Sequence, residues 1–152
     1  MIPAYVSKLN QVDELLVRVA KFGEDQFIIS SVCNHVCVLL SGTLELALKE
    51  TLSKFAKSKS HIEVANLAIA YLNGIQNPKP DRIEEIFLLL DKDRNKKLTE
   101  FWDSEIKDAI GSIVGNRHLI AHGRDTNISF VRINQWNRCC RKFCNYLQKE
   151  FE

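Results

Sequence analysis

Three prolines and six glycines in 152 residues leave little material for tight turns and none for a flexible or stiff interdomain linker. Long uninterrupted apolar runs are also missing. Val36–Leu40 falls far short of a membrane span, and the N-terminal stretch lacks the basic, apolar and small-residue layout of a signal peptide. The five cysteines (Cys33, Cys37, Cys139, Cys140 and Cys144) are odd in number, and no two have Cys-x-x-Cys spacing. A disulfide framework or a thiolate metal site is therefore disfavoured, and a reduced, cytoplasmic protein with core thiols is expected. Charge of one sign is scarce as well. A formal net charge of +2 does not advertise a polyanion binder.

What remains is helix-friendly sequence. Hydrophobic residues make up 45% of the chain and charged residues 26%, which is enough apolar surface for one buried core and argues against disorder. A single all-α domain over residues 1–152 follows. Val6, Leu9, Val12, Leu15, Leu16 and Val19 recur at helical steps until Gly23. A long second helix, from about Glu24 to Lys57, is apolar around most of its circumference and reads as the central helix of a bundle, with Asn34, Ser41 and Glu45 sharing one polar line. Shorter helices are expected from about His61 to Leu72 with Ser60 as cap, and from Asp81, as cap, to Leu90. Asp91–Lys97 reads as a charged loop before a helical turn at Leu98–Trp102. It is no calcium loop, because Lys96 stands where the turn needs glycine and Trp102 where a bidentate glutamate is needed.

The next helix should start at Ser104 as cap and end at Gly123. Its apolar stripe steps from Ile106 to Ile110 and Ile113, then to position 117, then to Ile120, so Arg117 falls on the line that should face the core. A buried guanidinium cannot shed its charge, and leaving it unpaired costs several kcal/mol. Arg117 must therefore pair with a carboxylate such as Glu45, reach outward, line a polar cleft or meet a second copy of the chain. His122 lies about 140° further round and about 7.5 Å along the axis. Placed at the helix end, it is the best candidate for a general acid or base. His118 and His122 are four apart and could share a metal, but no glutamate follows the first histidine as a zincin needs, so no metal or cofactor is expected.

The last helix is expected from about Asn134 to Phe151, after a short extended connection at Ile128–Val131. The chain from Arg117 to Lys142 holds six basic residues against one acid, whereas Asp81–Glu105 holds eight acids against five bases. A polyanion would meet the former. Arg124, Arg138, Arg141 and Lys142, with Arg132, are candidates for steering phosphates, although such charges also serve simply as a solvated face.

The stretch Asn116-Arg117-His118-Leu119-Ile120-Ala121-His122-Gly123 resembles the Arg, polar residue, short spacer, His signature of HEPN-domain ribonucleases. The apolar helix around Val36–Leu52 and the Arg124–Phe130 loop are similar to the RiboL-PSP type of that family. The likeness spans much of Phe27–Leu52 and Glu105–Tyr146; the middle of the chain adds little. The resemblance implies an up-and-down helical bundle that dimerises so that two motifs face each other. It further implies metal-independent RNA cleavage, commonly by a toxin or defence effector held in check by an antitoxin protein. Carried over by residue, Arg117 and His122 match the active pair and His118 the polar position. Asn116 lies outside the defining pattern, as an RNA-contact candidate only. A non-catalytic module that binds RNA, nucleotide or a partner protein through the same cleft is the alternative.

Overall fold

The computed structural model describes residues 1–23 and 25–152, so the start of the second helix expected at Glu24 lies outside the described residues. Those residues form seven helices and no strand: α1 (Ala4–Val19), α2 (Gln26–Lys59), α3 (Ile62–Asn73), α4 (Pro80–Leu90), α5 (Lys92–Phe101), α6 (Ser104–Ala121) and α7 (Phe130–Phe151). The expected all-α bundle with a long second helix is what the chain adopts. At 34 residues α2 is about 50 Å long, and α1, α3, α6 and α7 all pack on it. Leu40, Leu44 and Leu48 of α2 are fully buried with Phe87, Ile110, Ile113, Phe143 and Leu147. Although α2 has the length and apolar composition to cross a membrane, it serves here as the axis of the bundle.

Several helix ends differ from the sequence reading, each for a local reason. Asp25, Asp91, Asp103 and Ser129 cap α2, α5, α6 and α7 through their side chains, so the α6 cap is Asp103 rather than Ser104. Lys79 occupies the N-cap position of α4, with Pro80 at the first helical position and Asp81 in the first turn. Ser60 does not cap α3; its hydroxyl donates back to the Ala56 carbonyl and closes α2. Phe130 and Val131, expected as extended chain, are already helical because Ser129 accepts the Arg132 N–H.

The largest correction is α5. The segment read as a charged loop is a helix that buries only Leu98. Arg94 fixes it to the end of α7. Its guanidinium donates to the Glu150 carboxylate at 2.7 Å and to the Glu150 carbonyl at 2.8 Å, and it lies over the rings of Phe55 and Phe151 at 5.0 and 4.8 Å. Nearby, Phe101 stacks on Tyr146 at 4.1 Å between centroids. The α4–α6 side is tied by Glu84, which accepts from Trp102 Nε1–H and Lys107 Nζ.

Candidate functional site on helix α6

The core stripe of α6 runs through Ile106, Ala109, Ile110, Ile113 and Val114, all buried, and stops there. The Cys37 thiol donates to the Ile113 carbonyl at 3.4 Å and fixes the register of α6 on α2. No residue from Gly115 to Ala121 is fully buried, so the last two turns of α6 leave the core. Arg117 sits at that exit, half-buried.

Arg117 lines a hollow of about 360 Å³ together with Val38, Gly42, Glu45, Gln76 and Asn77. Glu45 does not pair with it. One Glu45 oxygen accepts from Lys49 Nζ at 2.8 Å and the other from the Asn77 N–H at 2.7 Å. The Ser41 hydroxyl donates to Asn77 Oδ1 at 3.2 Å, and Asn77 itself adopts the left-handed conformation, with φ of 43°. Asn34, third on the polar line of α2, accepts from the Thr126 hydroxyl at 2.6 Å. That line therefore holds the loops on either side of the hollow and engages Glu45, the one carboxylate lining it among the described residues. Among the described residues Arg117 has neither an ion pair nor a hydrogen bond.

The two histidines stand on a different side of α6. Both are exposed, and their ring centroids are 4.4 Å apart with planes crossing at 62°. His122 is the C-cap residue, and Gly123 follows with φ of 65°. The Gly123 N–H donates to the Ile120 carbonyl and the Arg124 N–H to the Leu119 carbonyl, which is the paired closure of a Schellman turn. His122 is thus locked as the last residue of the helix. Neither histidine lines the Arg117 hollow.

The remaining candidates disperse. The Asn116 side-chain amide donates to the Ser112 carbonyl on its own helix. Arg124 and Arg132 are exposed, on either side of the connection to α7. Arg138 and Lys142 are exposed around Cys139, which also feels Asp103 and Glu105, so they lie beside the start of α6 and not by its end. Arg141 pairs with Asp13 of α1, beside the Asn137 amide, and works as a clasp between α1 and α7.

The cysteines do not offer a nucleophile. All five are free and buried. Burial pushes the Cys37 thiol up to about 12 and raises Cys33 and Cys139, while a hydrogen bond with Cys144, followed by burial, raises Cys140. Among the described residues no group of three or more His, Cys, Asp or Glu side chains is placed to hold a metal ion. A larger hollow of about 510 Å³ is bounded by both chain ends, away from α6.

No curated protein and no solved structure matches the chain. A family model described as RiboL-PSP-HEPN, however, matches residues 5–152, from the first turn of α1 to the end of α7. With the match covering every helix of the bundle, the chain belongs to the RiboL-PSP-HEPN family.

Proposed function

We propose that this protein is an endoribonuclease that cleaves RNA by attack of a 2′-hydroxyl on the adjacent phosphate, using Arg117 and His122 and no metal ion. Membership of the HEPN family points to a ribonuclease-like or nucleotide-binding module. The observation that carries the finer reading is Arg117: a half-buried arginine with no ion pair among the described residues, opening on a hollow whose own acid is already engaged. Such a group is free to take an anion, and its planar fork matches the nonbridging oxygens of a phosphodiester.

Within one chain Arg117 and His122 project about 140° apart around α6. The proposal therefore includes a homodimer in which the α6 ends of two copies face each other. One His122 takes the proton of the 2′-hydroxyl as the oxygen bonds to phosphorus, and the other delivers a proton to the departing 5′-oxygen. Arg117 holds the charge that builds on the phosphoryl oxygens, and His118 orients the phosphate or ribose. The products are a 2′,3′-cyclic phosphate and a 5′-hydroxyl, and DNA, lacking the 2′-hydroxyl, is left intact. The setting proposed is a cytoplasmic toxin or defence effector restrained by an antitoxin protein. Arg124 is the basic residue best placed to extend the RNA contact, since it directly follows the helix end.

The test is RNA cleavage by the purified protein in EDTA. Arg117→Ala and His122→Ala should each lower the rate by about a hundredfold or more while the circular dichroism spectrum is retained. Cleavage undiminished in both variants would refute the assignment. The separation of the Arg117 hollow from the histidines favours one second reading, a binding module without turnover. Tight RNA or nucleotide binding with no product from about pH 5 to 9, a range that brackets the ordinary histidine pKa of about 6.5, would establish it.

A further inference from the structure

We infer that His118 and His122 form a two-imidazole chelate for a divalent transition cation, and that occupancy of this site switches off the activity proposed above. The metal site stands on geometry alone; only its inhibitory consequence rests on the ribonuclease reading. The pair lies one turn apart on a rigid helix, both side chains are exposed, and their centroids are 4.4 Å apart in an edge-to-face arrangement. With metal–nitrogen bonds of about 2.1 Å, two imidazoles on one ion place their centroids about 4.6 Å apart at a right angle and about 5.3 Å apart at a tetrahedral one, so rotations that part the exposed rings by up to about 1 Å suffice. The Schellman closure at Gly123 fixes the backbone of both ligands before the ion arrives.

The electrostatics sort the possible ions. The carbonyl end of α6 favours a cation at His122. Among the described residues no carboxylate joins the pair into a larger donor set, so a hard ion such as Mg²⁺ or Ca²⁺ is offered no oxygen ligands there. Neutral imidazoles instead suit Zn²⁺, Ni²⁺ or Cu²⁺, with water completing the coordination. Two protein ligands make a reversible site, not a structural one. The bound ion would occupy the lone pair with which His122 accepts the 2′-hydroxyl proton, so the same chemistry that needs no metal is blocked by one.

Nickel binding to the purified full chain, followed by titration calorimetry, tests the site directly. One Ni²⁺ per chain is expected. His118→Ala and His122→Ala should each weaken binding by at least about tenfold, because a chelate becomes a single ligand. Unchanged affinity in both variants, or half a nickel per chain, would overturn the single-chain chelate. His61, exposed at the start of α3 and beyond the far end of α2 from Asn34, serves as a control whose removal should leave binding unaltered. In RNA cleavage, Ni²⁺ or Zn²⁺ should inhibit over the concentration range in which it binds, and EDTA should restore the rate. Cleavage without nickel binding would sink the chelate and spare the ribonuclease; nickel binding without cleavage would do the reverse.

Discussion

Replacing Arg117 with methionine separates a residue kept for function from one kept for the fold. Methionine has similar length, needs no partner and meets Val38 at the apolar edge of a hollow otherwise lined by Glu45, Gln76 and Asn77. Breaking a fully buried ion pair costs about 3–5 kcal/mol because a charge is stranded. Arg117 has no ion-pair partner among the described residues, but it is only half-buried and none of its nitrogens is fully buried without a partner, so it carries only a small part of that cost. Relieving part of the desolvation cost should therefore gain about 1 kcal/mol, which for a domain of this size is an increase in Tm of about 2–4 °C. Urea unfolding followed by circular dichroism gives the same quantity at constant temperature, provided the slope m is unchanged. RNA cleavage measured on the same preparation should fall by about a hundredfold or more. Arg117→Lys should keep the charge, lose the bidentate fork and remain strongly impaired. A loss of 1 kcal/mol or more in Arg117→Met, with cleavage intact, would show that the guanidinium has a structural partner and would refute the reasoning.

Other outcomes follow from the packing. Gly42 and Gly115 are helical, and a Cβ at either would meet no atom within 4 Å, so Gly42→Ala and Gly115→Ala should each gain about 0.5–1 kcal/mol in thermal unfolding. A loss of stability in either would mean that a second copy packs against that face. Arg94→Met should cost about 2–3 kcal/mol, because it leaves Glu150, whose side chain is only 13% exposed, with Lys97 alone at 3.5 Å. Equal stability of variant and parent in urea would show that α5 is held without the clasp. Burial pushes Tyr146 up to about 12, and its hydroxyl has no partner among the described residues. Above pH 10 the unfolded chain loses this proton while the folded one keeps it, so stability should fall from pH 10 towards 12. Tyr146→Phe should flatten that decline and be neutral at pH 7; an unaltered pH profile would contradict it.

The bundle was readable from the chain because its evidence is local: α1, α2 and α6 repeat apolar residues at helical steps, and Gly123 punctuates the end of α6. The α5 helix was not, since a helix that buries only Leu98 leaves no periodic signal, and its anchor Glu150 lies 56 residues away. The same limit applies to the basic C-terminal third. Counting charge along the sequence cannot show that Arg141 is committed to Asp13, 128 residues distant, or that Arg138 and Lys142 flank the wrong end of α6. Arg117 stood out from its phase on the helix. That it is only half-buried depends on where α6 leaves α2, which is a tertiary fact set near Cys37 and Ile113.

The capped ends of α6 give its interior a fixed count. Asp103 anchors the first turn through the Ile106 N–H at 2.9 Å, and the Gly123 closure, backed by Thr126 on Asn34, anchors the last. A residue inserted between Arg117 and His122 has no slack to enter. It would either swing the histidine by about 100° around the axis or drive Arg117 out of its hollow. The four-residue interval behaves as a gear tooth, with Arg117 meshed to the hollow on one side of the helix end and His122 to the closure at its tip.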